Sequence, residues 1–341
     1  MRNGIWRHAA RLPVRDPDAA VTLGEGDTPL VRLPRWGAAH GLKRVYAKLE
    51  LANPTGSYKD RGMAVLVAIA VEAGARHLVE DSSGNAGAAA AAYAARAGLT
   101  CTVYAPAAAP AAKLHQIRAY GADLIEVPGP RQAVADAARI HGAEPGVYHV
   151  SHNDNPAFVH GNKSFAYELT EAWMDGQLGD TGSPLHVVIP TGGGALFCGT
   201  WQGFGEDRIS FAGRELPRMH AAQTVACAPL AIAWEQALVD PATIDRQPSA
   251  CGGIEIERPA RGSEILTAIR ESGGSAIASE EAAILTERDL LAQLEGIYCE
   301  PTSAAALAAL AQLAQRCLIG PEDVIIVAVT GSGLKDPGPQ R

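Results

Sequence analysis

The stretch NPTGSYKDRG, residues 53–62, places one lysine, Lys59, at the junction of two predicted elements. Residues 44–50 (RVYAKLE) before it alternate like a short strand, and the Asn-Pro pair and the following glycine end any helix. Residues 60–73 after it are apolar on most of a helical surface, which predicts a buried helix. Lys59 is therefore expected at a strand-to-helix junction.

The surroundings predicted for Lys59 disfavour its charged form. A lysine at a helix start lies near the positive end of the helix dipole, and the helix beside it is predicted to be apolar. A lysine that is partly neutral is a nucleophile for aldehydes. From these residues alone, the alternative is an ordinary helix start where the lysine stem packs on the protein and the ammonium group reaches water.

Length and composition exclude several classes of function. The 341 residues are enough for two lobes, and a hydrophobic content of 47% supports a sizeable core. A net charge of -8 argues against nucleic acid, because that binding depends on Lys and Arg at phosphates. No run is apolar enough for a membrane span, and the start lacks the core of a signal peptide. Six widely spaced cysteines predict reduced thiols in a cytoplasmic protein and no metal site.

Strand, loop and helix units repeat along most of the chain. They run from a strand at residues 77–81 to a strand at 147–151, and resume with a helix at 163–175. This alternation predicts an α/β fold of mostly parallel sheets with helices on both faces. We expect two lobes, a small mobile one of residues 51–151 and a large one of residues 1–50 and 152–341, with the site in the cleft between them.

Two segments stand outside this alternation. The first 20 residues are polar, and we expect an irregular arm that packs on a partner subunit. Residues 240–263 are the most irregular stretch, which predicts either a surface loop or part of the site rim.

Two loops lie between a predicted strand and a predicted helix. Residues 82–87 (SSGNAG) precede an alanine-rich helix, and residues 190–195 (PTGGGA) follow the apolar strand HVVIP. Backbone amides at a helix start attract anions, and glycines let the backbone approach a phosphate. From the residues alone, the first loop either caps its helix or binds an anion, and the glycine triplet is either a turn or a binding loop.

Together these motifs resemble those of threonine synthase and its relatives in the tryptophan synthase β family, the fold type II pyridoxal phosphate enzymes. NPTGSYKDRG is similar to the lysine motif of that family, and residues 23–30 (LGEGDTPL) are similar to its N-terminal segment. Residues 295–305 (EGIYCEPTSAA) and 327–337 (VAVTGSGLKDP) resemble two motifs near its C-terminus. The matching segments span most of the chain.

The resemblance implies a role for each matching residue. Lys59 would carry pyridoxal 5′-phosphate covalently and act as the catalytic base. Asn85 would bond the ring hydroxyl of the cofactor. Thr330 would bond the pyridine nitrogen, and a neutral hydroxyl there suits elimination and replacement better than transamination. Glu300 either lies near the cofactor ring or caps the next helix. The implied cofactor-binding set is Lys59, Asn85, Thr191, Gly192, Gly193, Gly194, Ala195 and Thr330, and the implied substrate-binding set is Ser82, Ser83, Gly84, Ala86 and Asn155.

One loop departs from the threonine synthase pattern. Residues 151–161 (SHNDNPAFVHG) match it in the Asn-Pro pair and the final glycine, but Phe158 stands where an arginine usually meets the substrate phosphate. An apolar ring does not neutralise a phosphate, although His152, His160 or Lys163 could do so from another side. The loops SSGNAG and GGGALFCG resemble those of serine dehydratase instead.

The implied function is a pyridoxal phosphate-dependent lyase that eliminates or replaces a group at the β or γ carbon of an L-amino acid. The first expectation is the threonine synthase reaction, from O-phospho-L-homoserine and water to L-threonine and phosphate. An L-serine/L-threonine ammonia-lyase or a β-replacement enzyme is the alternative, and a binding protein that keeps the cofactor without turnover is a third. We expect a small-molecule partner, no nucleic acid, no membrane and a homodimer.

Overall fold

Two compact units make up the chain. The computed structural model describes residues 3–107, 109, 111–129, 131–179, 182–211, 215–336 and 338–339. One unit comprises Met1–Asp27 and Asn53–Ser164, and the other comprises Thr28–Ala52 and Phe165–Arg341. The lobe boundaries predicted from the sequence, and a cleft between the lobes, stay predictions.

Strands and helices alternate along the described residues. The strands are β1 (Leu30–Arg32), β2 (Arg44–Lys48), β3 (His77–Glu80), β4 (Thr100–Pro106), β5 (Asp123–Val127), β6 (Val147–His149), β7 (Leu185–Pro190), β8 (Arg218–Thr224), β9 (Ser275–Ser279) and β10 (Val324–Ala328). The α-helices are α1 (Pro34–Ala39), α2 (Lys59–Glu72), α3 (Asn85–Ala97), α4 (Ala111–Ala119), α5 (Arg131–Gly142), α6 (Pro156–Met174), α7 (Ala195–Glu206), α8 (Pro229–Glu235), α9 (Gly262–Ser272), α10 (Glu281–Glu295) and α11 (Pro301–Gln315). Short 3-10 helices cover Gly4–Arg11, Glu50–Ala52, Arg208–Phe211 and Gly252–Ile254. No helix in these described ranges is long and apolar enough to cross a membrane.

A four-stranded parallel sheet in the order β5-β4-β3-β6 forms the first unit. Because every pairing is parallel, the carboxyl ends of all four strands lie at one edge. α2 packs against α3, and most residues of both helices are buried. The alanine-rich sequence of α3 lets its neighbours approach closely.

The first residues of the chain fold onto their own unit. Ile5 and Trp6 of the first 3-10 helix are buried, and Trp6 Nε1 donates a hydrogen bond of 2.6 Å to Glu25 Oε1. Tyr93 Oη, on α3, donates to the other oxygen of the same carboxylate at 2.7 Å. The prediction of an irregular segment is therefore wrong for residues 4–11, and packing of this segment on a partner subunit stays a prediction.

A six-stranded sheet in the order β1-β2-β10-β7-β8-β9 forms the second unit. β1 pairs antiparallel with β2, and all other neighbours are parallel. β7 and β10 are buried along their whole length, as expected for central strands covered on both faces. The predicted α/β fold with mostly parallel sheets is thus confirmed.

Candidate active site

Lys59 is the first residue of α2, and a buried hydrogen-bond network fixes the turn before it. The backbone N of Thr55 donates to Asp60 Oδ2 at 2.7 Å, and Thr55 Oγ1 donates to Asp60 Oδ1 at 2.6 Å. Gly56 has a φ of 84°, a conformation that glycine adopts without strain. The predicted strand-to-helix junction is confirmed, and its geometry holds a half-buried Lys59 in place.

Two aromatic rings flank the ammonium group of Lys59. Its Nζ lies 4.7 Å from the ring centroid of Tyr58 and 5.5 Å from that of Phe158. Phe158 is fully buried, and Gly62 leaves room for it, since a Cβ there would lie 2.5 Å from Phe158 Cδ2. The apolar residue that departs from the synthase pattern therefore lies beside the predicted catalytic lysine.

The loop from Ser82 to Asn85 joins β3 to α3, as predicted. Ser82 Oγ accepts a hydrogen bond of 3.2 Å from the backbone N of Gly84. A Cβ at Gly87 would lie 1.9 Å from the carbonyl oxygen of Ser82, so the close approach requires glycine. Gly84 is the N-cap residue of α3, so neither serine nor Asn85 occupies the capping position. The amides of the first turn have no partner within the helix and can receive an anion. Ala86 lies in that turn.

Asn155 caps the start of α6. Its Oδ1 accepts a hydrogen bond of 3.0 Å from the backbone N of Ala157, and its Nδ2 donates to Tyr148 Oη at 3.3 Å. The oxygen and the nitrogen of the Asn155 side chain are therefore both hydrogen-bonded within the protein. A role of Asn155 in binding substrate stays a prediction.

A cluster of titratable side chains lies at the carboxyl edge of the first sheet. Glu80 ends β3, Asp81 follows it, and His152 follows β6 on the neighbouring strand. His152 Nδ1 lies 2.7 Å from Glu80 Oε1, and Arg131 Nη2 lies 2.6 Å from Asp81 Oδ2. Atoms of Glu80, Asp81 and His152 lie within 4.8 Å of one another. Sequence reasoning missed both carboxylates, although two polar residues directly after a buried strand were a usable signal.

Burial changes the acid–base properties of this cluster. It raises the pKa of Glu80 well above its usual range, and the negative charge of Asp81 acts in the same direction. Burial lowers the pKa of His152 to about 3, and the positive charge of Lys59 adds to that effect. Both groups are therefore biased toward their uncharged forms.

In the second unit, the glycine loop joins β7 to α7, as predicted. The backbone N of Thr191 donates a hydrogen bond of 2.8 Å to Ala222 O, which anchors the loop to β8. Gly194 is the N-cap of α7 with a φ of 91°, and a Cβ there would lie 2.4 Å from Ile265 Cδ1. A Cβ at Gly192 would lie 3.0 Å from Gly253 O. The irregular segment 240–263 therefore borders this loop, which favours its interpretation as part of the site rim.

Thr330 follows β10, the strand beside β7, so it lies at the same sheet edge as the glycine loop. Its Oγ1 lies 3.1 Å from Ser303 Oγ, which accepts a hydrogen bond of 2.9 Å from the backbone N of Gly331.

Glu300 is the N-cap residue of α11, but its side chain makes no capping hydrogen bond. Its carboxyl group packs on Gly331 instead, where a Cβ would lie 2.4 Å from Glu300 Cδ. Pro337, the end of the predicted motif, lies outside the described residues.

This edge of the second unit fits pyridoxal phosphate. The amides of the glycine loop, of Ala195 and of the first turn of α7 offer donors for a phosphate, and the glycines leave no side chain in the way. The hydroxyl of Thr330 offers a neutral partner for a pyridine nitrogen. The structure thus brings together Thr191, Gly192, Gly193, Gly194, Ala195 and Thr330 in one unit, and Lys59, Ser82, Ser83, Gly84, Asn85 and Ala86 in the other.

Comparison with known sequences places this chain beside enzymes that use the same cofactor. Residues 21–331 match the family model described as pyridoxal-phosphate dependent enzyme. The chain is 36% identical over 335 residues to a protein named threonine synthase of Methanocaldococcus jannaschii, covering 98% of this chain and 81% of that protein. It is 38% identical over 328 residues to a threonine synthase of Halalkalibacterium halodurans, covering 96% and 87%.

Solved structures share the fold. Maize serine racemase superposes with a TM-score of 0.74 at 21% identity, covering 89% of this chain and 88% of that one. The processed form of threonine deaminase isoform 2 from Solanum lycopersicum superposes with a TM-score of 0.75 at 17% identity, covering 97% and 86%. At these identities the likeness concerns the fold alone.

Proposed function

We propose, from the premise that this chain belongs to the pyridoxal-phosphate dependent enzyme family, that it is a lyase that converts O-phospho-L-homoserine and water to L-threonine and phosphate. Relatedness over nearly the whole chain to proteins named threonine synthase is the observation that supports this reaction. Its partner is a small-molecule amino acid, in keeping with a net charge of -8.

Lys59, Asn85, Thr330 and the glycine loop would hold the cofactor. Lys59 would bind it covalently, Asn85 would bond its ring hydroxyl, and Thr330 would meet its pyridine nitrogen. The loop from Thr191 to Ala195 would hold its phosphate, which the positive φ of Gly194 and the position of the loop at the N-terminus of α7 support. When bound, pyridoxal phosphate supplies an electron sink that stabilises negative charge on carbon atoms of the substrate.

The remaining residues would bind the amino acid and move protons. Ser82, Ser83, Gly84 and Ala86, at the start of α3, would bind the substrate carboxylate through hydroxyl and amide groups. Lys59 Nζ would take the proton from the α carbon, acting as general base. The buried turn between Thr55 and Asp60 keeps this side chain in position, and rigid positioning of that kind raises rates.

A second reaction is favoured by one observation. The ring of Phe158, in the first turn of α6, lies 5.5 Å from Lys59 Nζ, at the position where an arginine would meet a phosphate. An apolar ring suits the short side chains of serine and threonine better than a phosphate, whose charge needs a cation or several donors. Ammonia-lyase activity on these β-hydroxy amino acids is therefore the second candidate, followed by β-replacement.

Product analysis separates these reactions. The cofactor-loaded protein is mixed in turn with O-phospho-L-homoserine, L-threonine and L-serine, and phosphate, threonine and keto acid are measured. Release of phosphate with formation of threonine supports the synthase reaction, and keto acid from serine or threonine supports the ammonia-lyase. A loaded protein that turns over none of them would contradict both and would fit the non-catalytic binding protein. Lys59→Ala is the matched control and should form no product.

We also propose that the protein is a cytoplasmic homodimer. All six cysteines are free and five of them are buried, as expected where thiols stay reduced. A two-fold dimer is the commonest assembly of soluble proteins. Light scattering on the protein as it elutes from a size-exclusion column gives its mass directly. A mass equal to one chain would contradict the dimer.

A further inference from the structure

We propose that Glu80 and His152 form a pair that exchanges one proton with the oxygen atom on the β carbon of the substrate. The inference rests on the proposed function, because both candidate reactions make or break a carbon–oxygen bond at that carbon. In the synthase direction, the pair first gives its proton to the departing phosphate. A lone pair of water then forms the bond to the β carbon, the displaced electron pair of the double bond moves away from it, and the water proton returns to the pair. In the lyase direction, the bonding electrons leave with the hydroxyl oxygen, which takes the proton and departs as water.

Hydrogen bonding within the pair leaves one oxygen available. Glu80 is fully buried, and its Oε1 lies 2.7 Å from His152 Nδ1. The other oxygen, Oε2, is also buried and makes no hydrogen bond to any part of the chain that the structure describes. A buried oxygen without a partner destabilises the fold, so its retention points to a role in chemistry.

The position of the pair matches that role. Glu80 stands two residues before Ser82, where the loop predicted to bind the substrate carboxylate begins. The ring centroid of His152 lies 6.0 Å from that of Phe158, and Lys59 Nζ lies 5.5 Å from the same Phe158 centroid. His152 and Lys59 therefore both lie close to the same buried ring.

The charged groups around Glu80 and His152 indicate which side chain carries the exchangeable proton. Asp81 Oδ2 forms an ion pair with Arg131 at 2.6 Å, so we assign the proton exchange to Glu80 and His152 and not to this carboxylate. Burial then favours the neutral form of both members of the pair, with the proton on Glu80. The charged and titratable groups that act on them from the surrounding elements are Lys59, Asp81, Arg131, His149 and Asp154.

The first test requires no turnover. Infrared difference spectra of the protein at about pH 7 compare wild type with Glu80→Gln, and with Glu126→Gln as control. Glu126 is an exposed carboxylate on β5 of the same sheet. The carbonyl stretch of a protonated carboxyl group should vanish in Glu80→Gln and persist in the control. Its absence from wild type would mean that Glu80 is ionised, which overturns the proposal.

The second test measures transfer of the proton. For the substrate that wild type turns over, Glu80→Gln should lower kcat by about 100-fold with little change in KM, as expected when a general acid or base is lost. His152→Asn should shift the pH dependence of kcat for the same substrate. Exchange of the substrate α proton with D2O, which depends on Lys59, should continue in Glu80→Gln. Unchanged kcat, or equal loss of α-proton exchange, would overturn the assignment.

These tests separate the inference from the proposed function. If wild type turns over none of the three amino acids, the proposed function fails and the transfer step fails with it, while the infrared band still decides whether Glu80 holds a proton. If wild type is active and Glu80→Gln is equally active, the proposed function stands and the inference is wrong.

Discussion

Mild acid should destabilise the second unit through two histidines that are buried in its sheet. His186 on β7 and His220 on β8 stack with ring centroids 5.2 Å apart, and His186 Nδ1 lies 2.9 Å from His220 Nε2. Beyond them, His220 Nδ1 lies 2.8 Å from Ser275 Oγ, and His186 Nε2 lies 3.3 Å from Asp323 Oδ2. A second proton on either ring would be buried beside the other ring.

The magnitude follows from the pKa of each ring. Burial lowers the pKa of His186 to about 4 and that of His220 to about 3, both below the value near 6.5 of an unfolded chain. The folded protein therefore binds fewer protons, so the stabilisation is complete above about pH 6.5 and is lost as pH falls toward the folded pKa values. At about pH 5, roughly 1.5 pH units at 1.36 kcal/mol each give a loss of about 2 kcal/mol per histidine, or about 4 kcal/mol together.

Urea unfolding followed by tryptophan fluorescence measures this loss. Four of the five tryptophans, Trp36, Trp173, Trp201 and Trp234, belong to the second unit. These two histidines should together lower the free energy of unfolding by about 4 kcal/mol between about pH 7.5 and about pH 5, and about half of that loss should disappear in His220→Gln. His115→Gln, which removes an exposed histidine, should behave as wild type. An equal pH dependence in His220→Gln and wild type would refute the reasoning.

Three further predictions concern the candidate site. Gly194→Ala places a Cβ 2.4 Å from Ile265 Cδ1 at a φ of 91°. The Kd for pyridoxal phosphate, measured by absorbance titration, should therefore rise at least about 10-fold. In the control Gly205→Ala, which also lies in α7, the new Cβ meets open space, so the Kd should not change. Gly62→Ala drives a Cβ into the Phe158 ring, so it should lower the free energy of unfolding by about 1–3 kcal/mol and slow turnover, and an unaltered melting temperature would contradict that contact. Phe158→Arg should raise kcat/KM for O-phospho-L-homoserine relative to L-threonine, and an unchanged ratio would mean that the substrate phosphate is bound elsewhere.

Local patterns predicted most of the fold. The apolar runs that became β7 and β10 are dense in β-branched residues, and the helices α2 and α3 follow breakers that mark their starts. β8 and β9 were missed because RMHAAQT and SAIAS have weak strand propensity; they form by parallel pairing in the sheet that extends from β7. The helix predicted from residue 163 begins at Pro156, because Asn155 caps it and proline suits the first turn.

Some residues of the candidate site can be predicted from local sequence, and others meet only through the fold. Lys59 and the glycine loop are recognisable because each carries its own turn residues within one short segment. The pairing of Glu80 with His152 is not, because the two are 72 residues apart and meet only through the adjacency of β3 and β6. The contact between Gly62 and Phe158 likewise depends on packing across nearly 100 residues, which no local pattern records.

Peptide mapping after borohydride reduction tests the central claim most directly. The cofactor-loaded protein is reduced, digested and analysed by mass spectrometry, with Lys59→Ala and the exposed Lys43→Ala treated in parallel. The mass of the reduced cofactor should appear on the peptide that contains Lys59, in wild type and in Lys43→Ala, and should be absent from Lys59→Ala. Attachment to a different lysine, or an unmodified Lys59 peptide from a loaded protein, would contradict the assignment of Lys59 as the residue that carries pyridoxal phosphate.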